Sequence, residues 1–383
     1  MKNYTLIIVY FILVSLNAQT TPFSETLSGP KGMVIFNDGT GDYLYVAESG
    51  NGAGTGQIVR LNLSATPDVA KEVVITGLNR PFGLSLNGST LYIVDSGLGN
   101  GSGVPGQILS YDLSSFTGTP GLTSTIYNFP FDSDSPRGIL YDSGNLYVSE
   151  VESNDIFAID LSLPIPSNLD VFCDLDALGA GPVGLVVNGT TMYAAGRDSN
   201  IIYEISNINT YTPGSSLSAT SFIDFDSALG DWIGPEFLYL DGSTLYISGR
   251  DGNEIGSVDI GISNPLSSGS IIVTSNSPEQ VIPFNNNLYI AENDKVSFFV
   301  LPTLSAPTSL NKSSFVASPN PTKDVLTISG FDGEKEFQLY NLLGRIVMKG
   351  IVNQNETINI DFLDSGIYLL KFDEDNVLKI IKE

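Results

Sequence analysis

Acidic side chains recur at one point of a repeated pattern in this 383-residue chain, and their types suggest cation or ligand chemistry. Glu48, Asp95, Glu150 and Glu292 each stand four residues after the Leu of a Leu-Tyr pair. In two further copies that position is a glycine, followed by Arg197-Asp198 and Arg250-Asp251. Carboxylates drawn to one place suit Ca²⁺, a hard cation that takes oxygen ligands. Two opposed carboxylates are also the machinery of glycoside hydrolysis. The same acids serve equally well as acceptors for turn amides, because a repeat carries its structural residues into every copy. Histidine is absent from the chain, which removes Ser-His-Asp, Cys-His and His-ligated metal chemistry together. Cys173 is the only cysteine, so no internal disulfide forms. Its place in the apolar run Asp170-Val171-Phe172-Cys173 marks it as a buried, inert thiol.

The elements that position these residues form a sixfold repeat. The copies open on Pro30-Lys31-Gly32, Pro81-Phe82-Gly83, Pro136-Arg137-Gly138, Pro182-Val183-Gly184, Pro235-Glu236-Phe237 and Pro278-Glu279-Gln280. An apolar run and a turn follow each opening, for example Asn87-Gly88 or Asn188-Gly189, pairs that accept positive φ in a tight hairpin. The Leu-Tyr or Met-Tyr strand comes next, then a third and a fourth strand. The Leu/Met positions are 47, 55, 46, 53 and 43 residues apart. Strand repeats of that length predict the blades of a propeller. The sixth copy runs from a third strand straight into Pro302, and residues 22–28 are predicted to supply its missing fourth strand and so remove the open edge. In this architecture the leading prolines and the acidic strand ends share a face. Glu48, Asp95, Glu150, Arg197, Asp198, Arg250, Asp251 and Glu292, with Lys31 and Arg137 nearby, are therefore expected around one central mouth. The Gly-rich loops 49–56 and 96–106 belong to that face and, lacking Gly-Lys-Ser/Thr before a helix, are not phosphate loops. Trp232, the sole tryptophan, is expected to pack before the fifth blade.

Between Gln19 and Pro302 the chain has 31 acidic and 8 basic residues, a balance of −23. Such a surface argues against nucleic acid and against anionic membranes, and leaves cationic partners open. At the N-terminus Lys2 precedes an apolar stretch from Leu6 to Leu16 that is too short to span a bilayer. Residues 1–18 read as a secretory signal cut between Ala18 and Gln19, which leaves no transmembrane segment in the mature chain. A propeller over 19–302, a Pro/Ser/Thr linker over 303–314 and a small β-sandwich over 315–383 complete an all-β chain.

The Pro-x-Gly and Leu-Tyr-Val-x-Asp/Glu cadence over about 22–302 resembles NHL-type and regucalcin/gluconolactonase-type six-bladed propellers. Over about 315–383 the order Pro319-Asn320-Pro321, Val325-Leu326-Thr327-Ile328, Gly344-Arg345, Gly366-Ile367-Tyr368 and a closing lysine pair resembles the type A C-terminal sorting domain of type IX (Por) secretion cargo. That likeness implies recognition by the type IX machinery, passage through the periplasm, and release outside the cell or attachment to its surface. The expected function is a non-catalytic binding module with an extracellular ligand. The gluconolactonase likeness implies the alternative of a Ca²⁺-dependent lactonase or hydrolase, with Glu48, Glu150 and Asp198 as the mouth positions that would face its metal, and a purely structural role in an extracellular layer is a third reading.

Overall fold

The computed structural model describes residues 19–99, 101–131, 134–164, 169–225, 234–265, 269–301, 316–331, 333–341, 346–372 and 377–383. The expected signal peptide, the linker, Trp232 and the Gly344-Arg345 pair lie outside them. The chain divides at Pro302/Thr303 into two compact units.

Among the described residues the first unit holds six four-stranded antiparallel sheets, five of them laid down in sequence order. The first blade runs Pro30–Asn37, Asp42–Glu48, Gly56–Asn62 and Glu72–Leu78, and the second, third, fourth and fifth repeat it. The second strands are buried on both faces because a sheet lies on either side of them. Along Asp42–Glu48, Leu44 and Val46 join a core shared with the sixth blade, and Tyr45 and Ala47 join one shared with the second. The same division recurs between every successive pair of blades, giving six wedge-shaped cores around the ring. Period-2 side-chain direction is what lets one strand serve two interfaces. Cys173 is buried in the wedge between blades three and four, and desolvation pushes its thiol up to about 12.

The Gly of Pro-x-Gly has a packing cause. A Cβ on Gly32 would lie 2.3 Å from the carbonyl oxygen of Phe82, one on Gly83 2.4 Å from that of Arg137, and one on Gly138 1.9 Å from that of Val183. The innermost strands thus approach one another backbone to backbone, as a narrow ring requires.

The sixth blade has Val281–Phe284, Asn287–Ala291 and Val296–Val300, and its fourth strand is Thr21–Pro22, paired with Phe298 and Ser297. The strand is shorter than the expected 22–28. From Phe23 the segment veers toward the first blade: Val69 N–H donates to Phe23 O and Glu25 N–H to Val69 O, while Leu27 N–H still reaches Asp294 O. Phe23 and Leu27 enter the wedge between blades six and one, with the Phe23 ring edge-on to Tyr289 at 5.0 Å.

The second unit has a three-stranded sheet (Val316–Ser318, Val325–Ser329, Thr357–Asn359) and a four-stranded one (Ile346–Asn353, Glu334–Asn341, Gly366–Lys371, Val377–Lys382). Leu326, Ile328, Phe337, Leu339, Tyr368, Leu370 and Ile380 form its core. Asn320, between two prolines, acts as a surrogate backbone: its side-chain amide donates to Lys379 O and accepts from Ile381 N–H.

Candidate functional site at the axial mouth

Each leading proline of the first five blades pairs with the end of the second strand, Pro30 with Glu48, Pro81 with Asp95, Pro136 with Glu150, Pro182 with Gly196 and Pro235 with Gly249. A bulge follows each proline and turns the next residue out of the ladder. These next residues are Lys31, Phe82, Arg137, Val183 and Glu236, with Glu279 equivalent in the sixth blade. They meet around the axis. The Phe82 ring stacks on Phe237 from the opposite blade at 5.7 Å, and Val151 and Val183 complete this apolar floor. Lys31 and Arg137 sit over the face of Phe82 at 5.4 and 4.8 Å.

Two buried carboxylates face these cations. Lys31 pairs with Glu279, Arg250 lies 3.7 Å from the same oxygen, and Arg137 lies 3.7 Å from Glu236. Glu236 is wholly buried and neither of its oxygens has a hydrogen-bond partner; Oε2 of Glu279 and Nε of Arg137 are likewise buried and unpartnered. Burial, and then the charge of Glu279, push the Glu236 carboxyl up to about 7 against the pull of Arg137, Arg197 and Arg250. Burial brings the Arg137 guanidinium down to about 10, still a cation at neutral pH.

The sign of the resulting pH dependence is fixed by the direction of the Glu236 shift. The folded state holds a proton that the unfolded state releases near pH 4.5, so this group costs stability as pH rises from about 4.5 to about 7. Glu236→Gln removes that cost. The variant is expected to match the parent at pH 4 and to exceed it by about 2–3 kcal/mol at pH 8 in denaturant titrations. Equal stability differences at both pH values would show that the Glu236 carboxyl titrates alike in the folded and the unfolded chain.

The residues expected at the mouth fall into two groups. Arg197 and Arg250 reach the axial cluster, where their charges act on Glu236. Asp198 accepts from Arg197 Nε at 2.8 Å and lies against Gly181, and Asp251 lies against Gly234. Glu48, Asp95, Glu150 and Glu292 are at most 3% exposed and are engaged with the backbone or neighbouring side chains. Glu48 accepts from Ser28 N–H, Gln57 and Lys71. Asp95 accepts from the Asn79 and Arg80 amides and from Gln107. Glu150 accepts from the Ser135, Glu152 and Ser153 amides. Glu292 accepts from Thr20, Ser275 and Ser297. Each latches the loop that leads into its blade, or, for Glu292, ties the N-terminal segment to the sixth.

The structure does not bring Glu48, Glu150 and Asp198 together, and among the described residues no three acidic or thiol side chains are grouped as a metal site. At the axis itself Lys31, Arg137, Arg197 and Arg250 outnumber Glu236 and Glu279, so a dication would meet net positive charge. The Ca²⁺ implied by the regucalcin-type likeness does not fit these residues. Phe82, Glu236, Phe237 and Glu279 are the site residues that the repeat-end reading missed. Their signal is the variable residue after each leading proline, together with the loss of Gly in the last two copies.

Residues 317–383 match the family described as the secretion system C-terminal sorting domain. No curated protein matches the chain by sequence. Solved structures that resemble it include the calcium-binding protein regucalcin from Agrobacterium tumefaciens, at 12% identity over 75% of this chain and 96% of that one, TM-score 0.52. They also include the PQQ-bound aldose sugar dehydrogenase of Streptomyces coelicolor, at 12% identity over 73% and 96%, TM-score 0.51. A third is a putative oxidoreductase (glucose dehydrogenase) from Thermus thermophilus, at 12% over 74% and 100%, TM-score 0.51. At such identities the likeness speaks for the fold. The chain is a six-bladed β-propeller carrying a type IX secretion sorting domain, which directs it to the cell surface or the extracellular space.

Proposed function

We propose that the exported propeller is a non-catalytic binding module whose axial mouth takes a hydroxylated carboxylic acid, such as a sugar acid. One observation carries this reading. In a propeller with 31 acidic and 8 basic residues, four of those eight, Lys31, Arg137, Arg197 and Arg250, gather at one mouth, and a fifth, Arg80, acts on Arg137 by its charge. Guanidinium groups in that number suit a carboxylate, which they hold through paired charge-assisted bonds. The unpartnered oxygens of Glu236 and Glu279 are acceptors for ligand hydroxyls, since a buried carboxylate oxygen left without a donor is costly.

Calorimetric titration of the full mature chain with galacturonate and with galactose tests this. Saturable binding of the acid, at least about tenfold weaker in Arg137→Ala and absent for the neutral sugar, is expected, as charged hydrogen bonds contribute about 1.5–3 kcal/mol. Equal binding of the two sugars, or no effect of Arg137→Ala, would refute it. A lactone-hydrolysis assay run beside it addresses the lactonase alternative: turnover that disappears in Glu236→Gln would replace binding by catalysis.

A further inference from the structure

A second cavity, of about 510 Å³, opens between blades three and four, at the hairpin end of their inner strands and away from the mouth. It is lined by the phenols Tyr147 and Tyr211 and by the carboxylates Asp142, Asp160 and Asp170, with Ile208 among its apolar residues. Among the described residues no lysine or arginine lines it. Tyr147 and Tyr211 form its aromatic wall, joined from behind by the buried Phe172 ring, whose centroid lies 4.8 and 5.1 Å from theirs in edge-on contacts.

The phenols are the informative part. Tyr147 is 3% exposed and lines the cavity, where burial and then the nearby Asp142 and Tyr211 disfavour loss of its proton. The Tyr211 hydroxyl is shielded from solvent and has no partner. Buried phenols normally find one. The wall therefore sets an unpartnered phenol beside carboxylates that have, among the described lining residues, no cation to pair with. A carboxylate set that shared a metal ion would be tightly grouped, and among the described residues no such group exists. The acids are spread around the cavity instead, which suits a larger cation with several N–H donors or with an apolar body.

We infer that this cavity binds a small organic ammonium ion, its charge against Asp170 and Asp142 and its apolar part on the aromatic wall. Ammonium over a desolvated aromatic face is attracted by the ring quadrupole, and the phenol oxygens accept its N–H groups. The site is independent of the axial mouth and of the ligand proposed there.

The test is calorimetry of the full mature chain with phenethylammonium chloride at physiological salt, where diffuse attraction to an acidic surface is screened. One saturable site is expected, at least about tenfold weaker in Asp170→Asn, the loss that one charge-assisted bond represents. Tyr211→Phe should weaken binding severalfold while leaving the melting temperature unchanged or raised, because it removes a hydroxyl that has no partner. That variant keeps the test sharp if Asp170→Asn perturbs folding. No saturable heat, unchanged binding in both variants, or equal binding of neutral 2-phenylethanol would overturn the inference.

Discussion

A Phe23→Ala chain is expected to lose about 3–5 kcal/mol of stability, the cost of a cavity left by a buried aromatic ring. Removal of residues 19–28 is expected to prevent folding of the propeller altogether. Phe23 is 3% exposed in the wedge between blades six and one, against Tyr289 and Phe298. The segment around it supplies the only fourth strand that the sixth sheet has among the described residues, and its removal bares the edge of Val296–Val300. Without Phe23 and Leu27 that wedge also loses part of its filling, so the last blade is poorly held to the first. Denaturant titration measures the first effect, with Leu122→Ala as the control, since Leu122 is almost fully exposed and its truncation should be nearly silent. A Phe23→Ala loss no larger than the Leu122→Ala loss would mean that the ring is closed by something other than its leading segment.

The second large effect concerns export. A chain ending at residue 302 is expected to remain in the periplasm, with almost none at the surface or in the medium, because residues 317–383 are the sorting domain. The propeller is a compact unit in its own right, so the truncated protein should keep its circular dichroism spectrum and its cooperative melt. Fractionation combined with that melt separates loss of address from loss of fold. Appearance of folded, truncated protein outside the cell would remove the sorting role. A milder version is Asn320→Ala, which deletes both bonds from Asn320 to the terminal strand and should loosen the sorting domain by about 1–3 kcal/mol.

Much of the architecture was legible because a propeller writes its geometry into spacing. The leading prolines, the Tyr strands and the worn sixth copy correspond to the observed sheets, and the missing strand pointed to the N-terminal segment. The extent of that strand was not legible. Its shortness arises from bonds to Val69 in a loop of another blade, a contact no local pattern encodes. The site was legible only in part for a related reason. Recurrence drew attention to Glu48, Asp95, Glu150 and Glu292, yet recurrence is what a structural residue shows, and these acids anchor loops. Side chains that converge on an axis must differ from copy to copy, since one small space cannot hold six of the same charge. Lys31, Phe82, Arg137, Val183, Glu236 and Glu279 differ in that way, and a reading tuned to sameness passes over them.

The bulge after each leading proline has a consequence for how such a protein changes over time. The residue it expels joins none of the six wedges that hold the blades, so its identity is free of the packing between blades, although Phe82 and Val183 fill a small apolar cluster of their own. The ring can be read as a word of six letters, here Lys-Phe-Arg-Val-Glu-Glu, in which the charged letters are open to respelling while the wedges stay as they are. A descendant with a different ligand would need only a few substitutions at these places, and a library confined to the charged ones would sample new recognition while leaving the six wedges intact.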